Sequence, residues 1–291
     1  MVDTVSPRID LAFKKIFGVE ENKDLLISLI NSIVSKQDQV VDVDILNPYN
    51  PRNFRKDKLS ILDIKAKDTK GQRYNIEIQL TDEEDYDKRA LYYWAKLYSE
   101  QLEARGKYSS LRKAIGIHIL NFISIPESKK YYNAFHITEK ESGIRYFTDM
   151  ELHTIELSKF EQDTTLETEL SEYLLRVKNA LDIWALFLTR HDLLKPDGLP
   201  KEIDNPNLRK AIQVLEELNF DKYEREEYNE HLKWFRMEAS SVEKSIAKGR
   251  AEEKTEIVKT MLRKNMDIKL ISEVTKLSED EIKKISQEVL V

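Results

Sequence analysis

Near the start of the chain, apolar residues recur at helical spacing, with Leu25, Leu26, Leu29, Ile30 and Ile33 forming one face. This period predicts helices over 9–17 and 22–34. It then shortens: Val40, Val41, Val43 and Ile45 suggest a strand, ended by the Asn- and Pro-rich stretch 47–53. Alternating strands follow over 59–68 and 72–81, then a long helix over 85–104 and strand-like stretches over 113–121, 131–137 and 152–157. From residue 167 onward the pattern is helical. Tyr173, Leu174, Val177, Leu181, Trp184 and Leu188 share one broad face, and two prolines with Gly198 break the chain at 195–200. Further helices are expected over 207–218, 223–264, 267–275 and 279–289, the last opened by Ser278 and Glu281 at capping-box spacing. The class is therefore α/β, with an all-helical C-terminal region. Three segments are expected: a mixed core over 1–160, a helical extension over 161–222 packing on it, and a long polar helix with a terminal helical pair over 223–291.

The stretch 59–81, LSILDIKAKDTKGQRYNIEIQLT, carries the most information. Thr69-Lys70-Gly71 makes a three-residue hairpin loop with glycine last, where a left-handed residue is needed. Closure there pairs Asp68 with Gln72. Counting outward, Ala66 opposes Tyr74, Ile64 opposes Ile76 and Leu62 opposes Ile78. All three pairs are apolar, so this register gives the hairpin a core face without any functional assumption. The other face then sets Lys65 across from Asn75, Asp63 across from Glu77 and Ile61 across from Gln79. Opposed side chains have Cβ atoms roughly 4.5–5.5 Å apart. Two carboxylates at that distance repel unless a cation lies between them, and a hard divalent ion such as Mg²⁺ suits oxygen ligands. Such an ion would activate water and neutralise phosphoryl charge. Gln79 can orient water but supplies no positive charge; Lys65 can supply it nearby. The competing reading is an ordinary solvated hairpin face on which Lys65 screens Asp63.

Composition narrows the alternatives. Hydrophobic residues at 41% beside 34% charged ones describe a charge-rich globular chain. No apolar run reaches the roughly 18 residues that span a bilayer, and the longest, 114–125, is interrupted by His118 and Asn121. Asp3, Arg8 and Asp10 stand where a signal peptide would be apolar. The absence of cysteine removes thiolate sites and disulfides and agrees with a cytoplasmic location. A net charge of −6 argues against bulk coating of nucleic acid. Two local basic clusters remain, Arg52, Arg55, Lys56 and Lys58, and Arg105, Lys107, Arg112 and Lys113, each readable as a phosphate track or as solvated surface. The five histidines form no HExxH or similar pair, and His118, in an apolar strand, reads as a buried hydrogen-bonded residue. There is no GxxxxGK[ST], GxGxxG or GxSxG segment, so neither a nucleotide cofactor nor serine hydrolysis is expected.

In order and spacing, the helix containing Asp10-x-x-Phe13-Lys14, then LDIKAKD, GQRYNIEIQ and RALYYWAKLY resembles the Rpn family of recombination-promoting nucleases and related transposases. These belong to the PD-(D/E)XK superfamily. The resemblance runs over about 6–160 and extends to the terminal helices. It implies a restriction-endonuclease-like core, a mixed central sheet flanked by helices, and metal-dependent DNA cleavage with Mg²⁺ or Mn²⁺. Residue by residue, Asp63 and Glu77 match the metal-binding acids. Gln79 stands where the wider superfamily usually has lysine. Asp10 matches an early acidic position, a further candidate metal ligand, although a helix N-terminal aspartate is also favoured by the macrodipole. Arg89 and Tyr93, four apart on one helix face, match residues that reach the site or the scissile phosphate. The amphipathic pattern instead packs Tyr92, Tyr93, Trp94, Leu97 and Tyr98 on the sheet.

The function expected is a DNA endonuclease of recombination, mobile-element or phage biology, with DNA as partner. The alternative is a weakly active or inactive DNA-binding assembly factor for recombination. The segment MDIKLISEVTKLSEDEIKKIS has a helix-turn-helix outline, but Glu279, Asp280 and Glu281 would meet phosphate badly. That favours self-association, as a dimer, or regulation by the terminal helices.

Overall fold

The hairpin closes where the alternation puts it. A computed structural model describes residues 5–49, 63–82, 85–103, 106–162, 164, 167–264 and 266–289. In it β2 (Ile64–Asp68) pairs antiparallel with β3 (Arg73–Gln79), with Ile64 opposite Ile76, Lys65 opposite Asn75 and Ala66 opposite Tyr74. Gly71 takes the left-handed conformation at φ +83°. The Asp68 carboxylate accepts from the loop amides of Lys70 and Gln72 at 2.9 and 2.8 Å. The pairings expected of Ile61 and Leu62, and the basic cluster at 52–58, lie outside the described residues.

Four more strands complete the sheet: β1 (Val43–Ile45), β4 (Ala114–Leu120), β5 (Tyr132–His136) and β6 (Met150–Glu156), in the order β1-β2-β3-β4-β6-β5. The central strands β3, β4 and β6 run parallel, and β1, β2 and β5 are antiparallel to their neighbours. Strand β4, AIGIHIL, is buried at every position, as a parallel strand covered on both faces must be. Val40 and Val41 fall before β1 rather than in it, and Val41 is exposed.

One sheet face presents Ile64, Ala66, Tyr74, Ile76, Ile115 and Ile117 to a core shared with α1 (Asp10–Phe17) and α2 (Lys23–Ile33). Each of these isoleucines taken from water contributes about 1.5–3 kcal/mol. On the opposite face lies α3 (Tyr86–Ser99), which buries Tyr86, Ala90, Trp94 and Leu97 at helical spacing. The Trp94 indole donates to the Ala114 carbonyl at 3.0 Å. Tyr92 and Tyr93 are exposed, contrary to the packing expected of them, because the inward stripe already runs through residues 86, 90, 94 and 97.

After the short helix α4 (Leu157–Phe160), the helical stretch expected from residue 167 divides into α5 (Leu170–Leu174) and α6 (Ala180–Arg190). The break is chemical. Asn179 caps α6 by accepting from the amides of Leu181 and Asp182, and Asp182 reaches back to the Asn179 amide at 3.0 Å. Helix α6 and α7 (Pro206–Glu216) join the same core as α1 and α2. Helix α8 (Lys222–Arg263) follows, then α9 (Ile268–Thr275) and α10 (Glu279–Val289).

The chain forms two compact units, 1–232 and 233–291. The second has its own small core of Val258, Ile271 and Ile282. Its capping box is realised: the Ser278 amide donates to Glu281 at 2.8 Å, and the Glu281 amide to the Ser278 hydroxyl at 3.3 Å. Among the described residues no helix is long and apolar enough to cross a membrane.

Candidate active site

Strand alternation sets Glu77 and Gln79 on the α3 side of the sheet, and both are half-buried near the C-terminal end of β3. Asp63 stands one residue before β2, at a bend. Continuing the register by that one residue puts it on the face of Glu77.

Outside the ladder, Asp63 is secured by side chains. The Lys14 ammonium donates to the carbonyls of Asp63 and Asn47 at 2.5 and 2.7 Å. The Asn47 amide nitrogen approaches the Asp63 carbonyl at 3.1 Å and its carboxylate at 3.4 Å, while the Asn47 oxygen accepts from the Lys65 amide at 2.7 Å. Lys14 has no exposed surface, and burial brings its pKa down to about 8 against the pull of the Asp63 carboxylate. Gly18 makes room: a Cβ there would lie 2.7 Å from the Lys14 Cδ. Burial also raises the Asp63 pKa, opposed by Lys65, Lys14 and the Asn47 hydrogen bond.

Glu77 is met from α3. Arg89 Nη2 lies 3.2 Å from Glu77 Oε1 and 2.7 Å from Gln79 Oε1. The Gln79 amide nitrogen donates to the Thr81 carbonyl at 3.3 Å, so both ends of that amide are engaged. His118 Nδ1 is 3.9 Å from Glu77 Oε2 but only 2.6 Å from the Tyr86 hydroxyl. Burial, and then Arg89 and His153, lower the His118 pKa to about 4, which leaves a neutral imidazole, the buried hydrogen-bonded residue expected.

Asp10 opens α1. Burial raises its pKa to about 6, opposed by His231 and, more weakly, by Arg89. Its Oδ1 is buried without a hydrogen-bond partner, and Oδ2 lies 3.8 Å from His231 Nδ1. Arg89 thus acts electrostatically on Asp10 while bonding Glu77.

The family model for PD-(D/E)XK nuclease family transposases matches residues 7–245. The chain belongs to this family. No curated protein and no solved structure matches it. The family's activity is nuclease chemistry, which implies DNA as substrate, and PD-(D/E)XK nucleases generally use divalent metals.

Several expectations of a PD-(D/E)XK site can be set against these contacts. Asp63, Glu77 and the orphaned oxygen of Asp10 are the hard donors Mg²⁺ takes. Among the described residues, no three or more His, Asp or Glu side chains converge as a metal cage. Mg²⁺ needs only one or two protein carboxylates, with water and substrate phosphate completing its shell, so the donors fit a sparsely liganded ion. Positive charge at Glu77 comes from Arg89, one of the residues expected to reach the site, rather than from Lys65. Tyr93 is not drawn into the site; its ring packs edge-on against Tyr92 at 5.4 Å. In the second basic cluster Lys107 and Arg112 are exposed, whereas Lys113 is engaged by carboxylates. Lys113 is half-buried between Asp38 and Glu151, and Arg112 bonds the carbonyls of Ser109 and Leu111. Arg105 is outside the described residues. The clamp formed by Lys14 and Asn47 was not expected, nor was the approach of His231. A lysine inside the buried stripe Leu11–Phe17 was the available signal for the clamp.

Proposed function

We propose that the chain is a divalent-metal-dependent endodeoxyribonuclease, with Asp63 and Glu77 as metal ligands, Asp10 as a further acidic group and Mg²⁺ or Mn²⁺ as the ion. The main support is that Asp63, half-buried on the face of Glu77, is held by Lys14 and Asn47 chiefly through its backbone carbonyl, its carboxylate meeting only a long 3.4 Å contact from Asn47. When bound, the ion would lower the pKa of a coordinated water and offset charge on the phosphoryl group. Arg89 orients Glu77 and fixes the direction of the Gln79 amide. From that position Gln79 would align the attacking water, and Arg89 or Lys65 would face the phosphate.

On this reading, 1–160 is the nuclease core and 161–222 its helical extension. The region 223–291 would serve self-association, supported by the exposure of Leu270 and Val274, one turn apart on α9. Recombination or mobile-element biology is the setting the family description favours.

The Arg89 contact also favours a second reading, a weakly active DNA-binding factor, because a guanidinium on Glu77 competes with a metal ion. Plasmid cleavage across a series of divalent ions separates the two. The endonuclease should nick or linearise plasmid only with metal, and Asp63→Ala should lower the rate about 10³-fold or more, several kcal/mol of lost charge stabilisation, without loss of fold. Undiminished cutting by Asp63→Ala would reject the site. Metal-independent inactivity of the wild type would favour the binding factor.

A further inference from the structure

The polar face of the β2–β3 hairpin changes sign along its length. At one end lie Asp63 and Glu77. Two residues on, at about 3.3 Å per residue, come Lys65 and Asn75, a cross-strand pair; two further on come Lys67 and Arg73, also directly opposite each other. Like charges in that relation destabilise a sheet, and the protein offsets this pair only slightly. Lys67 lies 3.5 Å from Asp44, an exposed carboxylate. The Arg73 guanidinium makes no hydrogen bond or ion pair with any described residue, and its Nε is buried without a partner. The Lys65 ammonium likewise has no hydrogen-bond partner among them, only the attraction of Asp63 and the repulsion of Lys14. Three cations thus lead away from the acidic end: Lys65 has the field of Asp63, Lys67 an exposed carboxylate, and Arg73 no ion pair among the described residues.

We infer that Lys65, Lys67 and Arg73 form a phosphate track that holds the nucleic-acid backbone flanking the scissile bond, with the substrate lying along the hairpin. This rests on the nuclease reading and adds where the substrate lies. The supporting features are charge complementarity, the Lys67–Arg73 repulsion offset only by Asp44, the orphaned Arg73 donor and continuity with the carboxylates. A chain of net charge −6 must draw a polyanion by a local patch of this kind.

The test measures binding without cutting. Fluorescence anisotropy of a labelled DNA duplex with the full chain in EDTA, across a KCl series, gives the slope of log K against log salt. Each phosphate contact contributes about 0.9 to that slope on duplex DNA. Lys67→Gln and Arg73→Gln should each reduce it by about 0.9 and the double variant by about 1.8. Lys140→Gln, far along the chain, should leave it unchanged. Thermal stability of the two single variants should hold or rise, because the repulsion between them is removed. Slopes equal to the wild type's, or a wild type that binds no duplex, would overturn the track. If cleavage persists while the slopes stay unchanged, only the track falls; if the slopes drop in a chain that never cuts, only the nuclease reading does.

Discussion

Two groups of buried charges occupy the two ends of the same sheet, and they are built on opposite terms. Near the N-terminal ends of β4 and β6, the Lys113 ammonium sits 2.8 Å from Asp38 and 2.7 Å from Glu151. His153 adds a contact at 2.9 Å to Glu151, and its other ring nitrogen lies 3.0 Å from the Tyr132 hydroxyl. Burial alone would raise the Glu151 pKa, but hydrogen bonds from His153 and Lys113 outweigh it and hold the group at about 2. Asp38 is lowered for the same kind of reason. At the other end the balance is reversed. Burial prevails at Asp63 and Asp10, both raised, and an Asp10 oxygen is left without a partner. The carboxylates of the first group are surrounded by donors, whereas those proposed as metal ligands retain unused coordinating capacity.

This contrast can be broken most sharply at Lys113. Lys113→Met removes the ammonium shared by two buried carboxylates, leaving Glu151 to His153 and Asp38 to Ser35 and Gln72, and should cost about 3 kcal/mol in urea melts, with the cleavage rate per folded molecule unchanged. A fall in that rate at full stability would mean that the two ends are not separate in function. Next in size is the pH dependence of Asp10. Its native pKa of about 6 exceeds the unfolded 3.8, so its contribution is present at low pH and is lost as pH rises through 6. Asp10→Asn should therefore stabilise the protein by up to about 3 kcal/mol at pH 8 and have no such effect at pH 4. Melts showing no gain at pH 8 would remove Asp10 from the strained group. The smallest effect is expected of Lys14→Met, which frees the Asp63 backbone and should lower kcat about 10–100-fold. Saturation kinetics on plasmid would read this, and an unchanged kcat would show that Asp63 needs no clamp.

The hairpin was readable because its pattern is local. One loop glycine and three apolar cross-strand pairs admit a single register with a buried face, and that register carries Glu77, Gln79 and Lys65 to their positions. Arg89 was legible through the family resemblance, which marked it as a residue that reaches the site. Tyr93 was not, because a run of aromatics on a helix does not reveal which residues form the inward stripe.

Lys113 and Lys14 mark the boundary more clearly. In sequence, Lys113 stands in a basic cluster and Lys14 beside another lysine, and both look like surface residues. Their partners, Asp38 and Glu151 for one and the carbonyls of Asn47 and Asp63 for the other, come from distant segments. Periodicity alone determined which residues face the core and which share the hairpin's polar face, because side-chain direction along a strand or helix follows from backbone geometry. Which charges are neutralised and which carboxylates are left wanting was decided only by the tertiary fold, because electrostatic environment depends on groups that folding brings together from across the chain.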